Sequence, residues 1–361
     1  MSPLLGQFLI VAQRHHNSTL RTQNSKLMMY SNEKEINHMP NNVFKVVLLQ
    51  ALPASGKSEV RNFMAHVEPD ILRDEFHIGA NLQLDDFPYV HMMRRIDNEL
   101  QALGEPRIFY PGEEPFVDGR DWGTLCNLLN EDYHDLMNRV KVCPDSAAQY
   151  LFERIDRAGL GAGIAPRMGL LNEKVRAAVA EKLEAEARAM LNEKQAAYPE
   201  SFEDKTIIIE CARGGPDGAS MPLTGTFGYQ YSLPMFCPEI LENAVILYIW
   251  VTPEESRRKN ADRADPNDPG SNLHHGVPMA VMLGDYGCDD MEYLREHSKD
   301  NCVSFEAHGK HWDIPIGVFD NRVDKTSFLR AEPDAWDQDK VADVTAAIRA
   351  ATDAMFENYG K

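Results

Sequence analysis

Short apolar runs alternate with amphipathic stretches along this chain from Val43 onward. Runs of β-branched and other apolar residues bounded by turn-forming residues predict buried strands, and apolar residues that recur every three or four positions predict helices. The predicted strands are residues 45–50, a weaker segment ending near Leu84, and residues 206–210, 245–251 and 315–319. Strands that alternate with helices favour an α/β fold, in which helices cover both faces of a mostly parallel sheet.

Residues 88–205 differ in composition because they are rich in helix-forming residues. Segments 123–140 and 171–197 carry apolar residues at helical spacing, and the glycine-rich stretch 158–169 separates them. We therefore expect a large, mainly helical insertion between the second and third strands. The predicted parts of the chain are 43–87 (first part of the core), 88–205 (insertion) and 206–361 (second part of the core, ending in a helix over 341–359).

A turn of unusual composition follows the first predicted strand, where residues 46–60 read VVLLQALPASGKSEV. In a strand–turn–helix unit, the backbone N–H groups at the helix N-terminus and the helix dipole together favour a bound phosphate. Lys57 can then reach the terminal phosphates, and the Ser58 hydroxyl can bind Mg²⁺. The segment ALPASGKS departs from the phosphate-loop pattern G-x-x-x-x-G-K-[ST] at its first position, where Ala51 replaces glycine. This departure matters because alanine tolerates the backbone angles of a tight turn less well than glycine. The residues predicted to bind the nucleotide here are Ala54, Ser55, Gly56, Lys57, Ser58 and Glu59.

Acidic residues end two of the predicted strands, at the edge where parallel strands present ligand-binding groups. Glu210 closes the run TIIIE and can bind Mg²⁺ directly or through water, the alternative being an ordinary strand-end glutamate. Asp85 and Asp86 close the weaker strand, and one of them can accept the proton of a substrate hydroxyl, or orient that hydroxyl, during phosphoryl transfer. A solvated Asp-Asp turn before Phe-Pro is the alternative reading, and the sequence does not separate the two aspartates.

Residues 253–278, after the fourth predicted strand, have the features of a lid. A helix can start at Pro253, and Arg257, Arg258 and Arg263 recur along it at spacings that place several cations on one side. The loop that follows is rich in Pro, Gly, Asn and Asp, so it can open and close. The segment could bring arginines to nucleotide phosphates, or it could be a solvated helix face. Asn321 follows the last predicted strand, where a loop could line a pocket for the nucleotide base.

Composition narrows the classes of function. The chain has 361 residues, of which 43% are hydrophobic, so it is long enough to bury a core. Its 37 Lys and Arg against 56 Asp and Glu give a formal charge of −19, which disfavours nucleic acids and anionic membranes as partners. The six scattered cysteines favour reduced thiols in the cytoplasm, and no apolar run approaches the roughly 20 residues of a membrane span. Residues 1–42 differ from the rest and predict either disorder or a targeting segment.

Four segments of the chain resemble a P-loop kinase of the nucleoside- and nucleotide-kinase class. The segments ASGKS, LDDFP, IIIEC and RADPNDPGSNLHHGVPM occur in the order typical of uridine kinase and nicotinamide riboside kinase relatives, although Cys211 stands where those kinases have glycine. The resemblance implies a P-loop NTPase three-layer sandwich with a parallel sheet, and ATP and Mg²⁺ as cofactors. It also implies that Lys57 and Ser58 serve ATP and the metal, that Asp85 or Asp86 serves the substrate hydroxyl, and that Glu210 serves the metal or the substrate.

The expected function is therefore transfer of the γ-phosphate of ATP to a hydroxyl of a small molecule, nucleoside-like or another metabolite. A kinase acting on a nucleic-acid end or a nucleotide-sugar, and a nucleotide-binding regulatory module without turnover, are the alternatives. The insertion would build the acceptor pocket, and its cations are available if the acceptor is anionic. These cations are Arg94, Arg95, Arg154, Arg157 and Arg167. The acceptor itself and the oligomeric state are left open by the sequence.

Overall fold

The computed structural model describes residues 42–263 and 276–360, so most of the predicted N-terminal segment and part of the predicted lid lie outside it. Its core is a six-stranded sheet with the strand order β2-β3-β1-β4-β6-β5. All neighbouring strands are parallel except β5, which is antiparallel to β6. The predicted α/β fold with a mostly parallel sheet is thus confirmed. The strands are β1 (Val46–Gln50), β2 (Ala80–Asp85), β3 (Lys205–Cys211), β4 (Ala244–Trp250), β5 (Cys302–Ala307) and β6 (Lys310–Asp320).

Helices connect the strands and cover the sheet. The α-helices of the described residues are α1 (Lys57–His66), α2 (Pro69–Phe76), α3 (Phe87–Ala102), α4 (Asp121–Asn138), α5 (Ala147–Gly161), α6 (Glu173–Ala196), α7 (Gly228–Ser232), α8 (Pro238–Leu241), α9 (Pro253–Arg263), α10 (Met279–Gly284), α11 (Met291–Glu296) and α12 (Gln338–Phe356). Short 3₁₀ turns occur at Leu233–Met235, Ser327–Arg330 and Pro333–Ala335. No helix within the described residues is long and apolar enough to cross a membrane.

The sheet has an apolar layer on each face because successive side chains of a strand point to opposite sides. Val47 and Leu49 of β1 pack into a cluster with α1, α2 and α12. Val46 and Leu48 pack into a second cluster with α4 and α7 on the other face. Helices therefore lie on both faces of the sheet, an arrangement compatible with a three-layer sandwich.

Four helices, α3 to α6, lie between β2 and β3 and share an apolar cluster. That cluster also contains Leu52, two residues after β1, and Val251, the residue after β4. The helical segment is thus anchored over the carboxyl ends of the central strands. This is the edge where ligands bind in open α/β sheets.

The chain changes sides of the sheet around β1. The connection from β1 leads to β2 at one edge and then to β3, and the next strand, β4, lies on the other side of β1. In open parallel sheets, the crevice at such a change of direction is the usual place for a ligand. The carboxyl end of β1 is therefore the first place to look for a site.

Two strands differ from what the sequence predicted. β2 is an edge strand with exposed Ala80 and Gln83, which explains its weak apolar signal. The antiparallel β5 was not predicted, and the strand predicted at 315–319 is the end of the 11-residue β6. The β5–β6 hairpin turns through His308 and Gly309, both with positive φ, and a His-Gly pair is a weaker hairpin signal than Asn-Gly.

Candidate functional site

The turn between β1 and α1 is buried along residues 51–57. Gly56 caps α1 with a φ of 107°, and Ala54 has a φ of 54°, so both lie in the left-handed region. Ala51, which replaces the first glycine of the phosphate-loop pattern, is not among the residues with positive φ. The left-handed conformations of this loop thus fall on Ala54 and Gly56, and alanine at position 51 introduces no such strain.

Side chains from two distant segments hold the loop from outside. Asn321 Nδ2 donates hydrogen bonds to Ser55 O (2.7 Å) and to Thr326 Oγ1 (3.0 Å). The Ser256 hydroxyl donates to Pro53 O at 2.7 Å. Asn321 is completely buried, so it supports the loop backbone rather than lining an open pocket for a nucleotide base, which is where the sequence analysis placed it.

Replacing Gly56 by Ala should destabilise the protein more than the same change at Gly104. A Cβ at Gly56 would lie 2.5 Å from Thr326 Oγ1 and 2.9 Å from Asn321 Nδ2, whereas one at Gly104 would meet nothing within 4 Å. Both glycines have positive φ, so each alanine costs about 1–2 kcal/mol of backbone strain. Overpacking should cost Gly56→Ala about 1–3 kcal/mol more. Denaturant titration measures both free energies of unfolding, and equal losses would contradict the tight contact.

Lys57 lies inside the loop and is 7% exposed. Its Nζ donates to Ala51 O at 3.3 Å and to Leu52 O at 3.4 Å. Beside it, the buried Ser55 hydroxyl oxygen has no hydrogen-bond partner in the described structure. The loop thus contains a cation whose hydrogen bonds go to backbone carbonyls, and a hydroxyl without a hydrogen-bond partner in the described structure, and both can turn to an entering phosphate.

Ser58 and Glu59 start α1 with partly buried side chains. Glu59 was predicted among the nucleotide-binding residues, but its Oε1 accepts a hydrogen bond from Arg330 Nε at 2.6 Å. This ion pair ties α1 to the 3₁₀ turn Ser327–Arg330. In the structure, Glu59 thus forms an ion pair that supports α1, the helix that follows the loop.

Glu210, at the end of β3, faces the loop. Its Oε1 lies 3.9 Å from Lys57 Nζ, and its Oε2 accepts a hydrogen bond from Arg61 Nη1 at 2.6 Å. Arg61 stands one helical turn after Lys57 on α1, and it was not predicted, although the i, i+4 spacing of the two cations was a usable signal. No group of three or more His, Cys, Asp and Glu side chains in the described residues could hold a metal ion. An Mg²⁺ ion that binds together with substrate phosphates commonly takes only one or two protein ligands, so such a group is not required for it.

Asp85 lies directly opposite Glu210 in the register of β2 and β3. Burial, the charge of Glu210 and the charge of Asp86 raise the pKa of Asp85 to about 7. Its Oδ1 accepts a hydrogen bond from the backbone N–H of Phe87 at 2.8 Å, which fixes the carboxyl at the end of the strand. A carboxyl that titrates near neutral pH is suited to accept a proton.

Asp86 is bound differently, and its partner Arg213 was not singled out from the sequence. Arg213 is 2% exposed, and its Nη1 donates to Asp86 Oδ2 at 2.6 Å. The guanidinium also lies 4.9 Å from the ring centroid of Trp122. Asp86 is thus committed to a buried ion pair, which distinguishes it from Asp85 where the sequence could not.

Helix α9 carries the described part of the predicted lid and is attached to the core on one face. Ser256, Lys259 and Asn260 are all at least 96% buried. Lys259 Nζ lies 2.7 Å from Asp324 Oδ1, and the amide of Asn260 exchanges two hydrogen bonds with the backbone of Val277. These contacts attach α9 to the core, and the lid at residues 253–278 stays a prediction because residues 264–275 lie outside the described part of the chain.

The arginines predicted on α9 pair with nearby acidic residues. Arg257 lies 3.3 Å from Asp217, and Arg258 pairs with Glu255 and Asp262. The side chain of Arg263 and residues 264–275 lie outside the described part of the chain. The described arginines of α9 thus have partners other than a phosphate.

Most arginines proposed for an anionic acceptor are also engaged within the helical segment. Arg95 pairs with Glu186, Arg154 with Glu131 and Asp132, Arg157 with Glu131, and Arg167 with Asp121. Arg94 differs, because its described contacts are a hydrogen bond to Gly112 O and the ring of Tyr110. The sequence pattern alone could not separate these arginines, since their partners come from other helices.

Comparison of the chain with protein-family models, with curated proteins and with solved structures gave no match.

Proposed function

We propose that this chain is an ATP-dependent P-loop kinase, of the nucleoside- and nucleotide-kinase type, that phosphorylates a hydroxyl of a small molecule. The observation that carries the proposal is the convergence of three strand ends beside the change of direction at β1. Lys57 begins α1 after the turn that follows β1, Glu210 is the second-last residue of β3 and Asp85 is the last residue of β2, with Asp85 and Glu210 in register. A cation, a metal-binding carboxylate and a carboxyl of near-neutral pKa are the groups that phosphoryl transfer to an alcohol needs.

In this proposal the β- and γ-phosphates of ATP bind in the loop between β1 and α1. Backbone N–H groups at the start of α1 and the ammonium of Lys57 would hold the phosphate oxygens. The Ser55 hydroxyl, which has no partner in the described structure, would donate to one of them. Ser58 and Glu210 would hold Mg²⁺, which neutralises charge on the phosphates. Arg61 would release part of its contact with Glu210 when the metal binds.

Asp85 would accept the proton of the acceptor hydroxyl. The bond from the acceptor oxygen to the γ-phosphorus forms as the bond between that phosphorus and the β,γ-bridging oxygen breaks, and ADP carries away the electron pair. The proton passes to Asp85 Oδ, which later returns it to water. The proposal gives this role to Asp85 rather than to Asp86, because Arg213 Nη1 donates to the Asp86 carboxylate at 2.6 Å.

The acceptor is proposed to be a small molecule in the cytoplasm. The proposal draws on the net charge of −19, which disfavours polymers of phosphate, and on the six free cysteines of the chain.

Incubating the protein with ATP, MgCl₂ and a metabolite extract tests the function. We expect ADP release that increases when the extract is added, and a product heavier by one phosphoryl group in the mass spectrum. EDTA should stop ADP release, and excess Mg²⁺ should restore it, because the metal shields the phosphates in the transition state. Tight ATP binding without any extract-dependent turnover would contradict a kinase and indicate a nucleotide-binding regulatory module. Turnover that persists in EDTA would exclude the metal assignment.

A further inference from the structure

Asp285, the residue after α10, is a buried carboxyl for which the described residues provide no ionic partner. It is 5% exposed, its Oδ2 has no hydrogen-bond partner in the described structure, and it forms no ion pair there. A buried polar group of this kind is costly unless something pairs with it. The other buried acidic residues discussed above have such partners. Asp285 is therefore a place where a ligand group can complete the structure.

The position of Asp285 connects it with the proposed phosphoryl-transfer site. Its backbone oxygen packs against Gly214, since a Cβ on that glycine would lie 2.7 Å from it, and Gly214 follows Arg213 in the chain. Burial raises the pKa of the next residue, Tyr286, and the charges of Asp86, Arg213, Asp285 and Arg94 all act on it as well. Asp285 and Tyr286 thus pack against the residue that follows Arg213, and the charges of Asp285 and of the Asp86–Arg213 pair all act on Tyr286.

Aromatic rings form a continuous row at this place. Centroid distances are 4.3 Å for Tyr110–Phe116, 5.0 Å for Phe116–Trp122 and 5.6 Å for Trp122–Tyr286. The row belongs to the apolar cluster that also contains Leu52 of the phosphate loop. Rings beside a carboxylate are the surroundings that favour a cationic nitrogen, which binds both to the charge and to the ring faces.

The charge of Arg94 lowers the pKa of Asp285 against the larger effect of burial, so Arg94 is a cation that acts on this carboxyl. It is held elsewhere, however. Its Nη1 donates to Gly112 O at 3.1 Å, and its guanidinium lies 3.8 Å from the ring centroid of Tyr110. Asp285 therefore keeps an oxygen free for another donor.

We propose that Asp285 and the aromatic row form the acceptor-binding subsite, and that the acceptor presents an amino group to Asp285. This inference rests on the proposed kinase function, because it places the hydroxyl of the same molecule towards Asp85. The acceptor class is then an amine that also carries a hydroxyl. An acceptor whose only charged group is anionic would instead meet the unpaired carboxylate and be disfavoured.

Binding of three probes that share one ring tests the subsite without ATP. Benzylamine, benzyl alcohol and benzoate are titrated into the full-length protein at pH 8, where Asp285 is ionised because its pKa is raised by burial to about 7. Dissociation constants come from ligand-observed NMR. We expect benzylamine to bind about 10- to 100-fold more tightly than benzyl alcohol, the range of a hydrogen bond to a charged group. Equal binding of these two probes, or preference for benzoate, would overturn the proposal.

Substitutions at Asp285 and at a control residue test whether the preference for benzylamine depends on Asp285. Asp285→Asn keeps the shape and removes the charge, so the preference for benzylamine should disappear, whereas Asp285→Glu should retain part of it. Asp289→Asn is the matched control: burial also raises the pKa of Asp289 to about 7, but its carboxyl is bonded to the Tyr248 hydroxyl and to the backbone N–H of Met291. That control should keep the preference of the parent. Preference retained in Asp285→Asn would overturn the assignment, as would its loss in the control alone.

The two proposals can fail separately. If the preference for benzylamine depends on Asp285 but the protein releases no ADP, the kinase assignment is wrong and the amine-binding site stands. If the protein releases ADP but shows no preference for benzylamine, the kinase assignment stands and the amine-binding subsite is wrong.

Discussion

Lys57→Ala should lower turnover of ATP by at least about 10²-fold and weaken ATP binding, while the protein stays folded. Turnover should fall by this amount because the variant lacks a positive charge that would stabilise the negative charge developing in the transition state. In the ligand-free protein, Lys57 is held only by two backbone carbonyls at 3.3 and 3.4 Å and by Glu210 at 3.9 Å. These contacts are long, so their loss should change the fold little. Coupled-enzyme kinetics measure turnover, and isothermal titration with ADP measures binding.

Lys45→Ala is the control for this variant. Lys45 directly precedes β1 and is exposed at the opposite edge of the sheet, whereas Lys57 follows the same strand and is buried. Lys45→Ala should keep the turnover and nucleotide affinity of the parent. If Lys57→Ala binds and turns over ATP like the parent, the phosphate-loop assignment fails.

Asp85→Asn should lower kcat by about 10²–10⁴-fold, the range of general acid–base roles, and leave the affinity for ATP nearly unchanged. Asparagine keeps an Oδ1 that can accept the hydrogen bond from Phe87 N–H, so the shape of the strand end is preserved. In the parent, kcat/KM should rise with pH through about 7, where Asp85 loses its proton, and then level off. That rise should be absent in the variant. Rates at pH values from 5.5 to about 9 check both expectations.

The stability of this variant separates function from folding. The folded-state pKa of Asp85 is raised above the unfolded value of about 3.9, so the carboxyl costs stability as the pH rises towards and through about 7. Removing the charge should leave the melting temperature at pH 8 equal to that of the parent or higher. A carboxyl that costs stability and is kept nonetheless is typical of a functional site.

Asp86→Asn is the contrasting variant. It leaves the guanidinium of Arg213, 2% exposed, without its carboxylate, and breaking a buried pair in this way typically costs about 3–5 kcal/mol. We therefore expect a lower melting temperature for Asp86→Asn than for Asp85→Asn. Full turnover in both variants would mean that neither aspartate serves the acceptor, and Glu210 would be the next candidate.

The sequence by itself determined the elements that depend on local patterns. Apolar runs located β1, β3 and β4 to within about one residue at each end, since a strand buried on both faces reads as a continuous apolar stretch. Helical spacing located α4 and α6 to within about two residues. The strand–turn–helix around ASGKS was predictable for the same reason, because its geometry is built from neighbours in the chain.

The edges of the sheet were less predictable because an edge strand is only half covered. β2 carries polar residues and had a weak signal, and β5 was missed although it pairs along six residues with β6. Antiparallel pairing at an edge depends on a turn and on a partner strand, and the apolar pattern of a segment predicts neither of them well.

The tertiary structure alone decided which charged groups are free to act. Asp85 and Asp86 are adjacent in the chain and indistinguishable by pattern, yet Arg213, 127 residues away from Asp86, occupies only the latter. Asn321 was assigned to a base pocket, but its amide holds the backbone of Ser55 across 266 residues. The sequence left open whether the cations of α9 lie on a lid or on a solvated face, and Lys259 of that helix is 1% exposed with its Nζ 2.7 Å from Asp324 Oδ1. Ion pairs and hydrogen bonds between distant segments depend on how the helices and the sheet pack together. The spacing of residues within one segment therefore does not predict them.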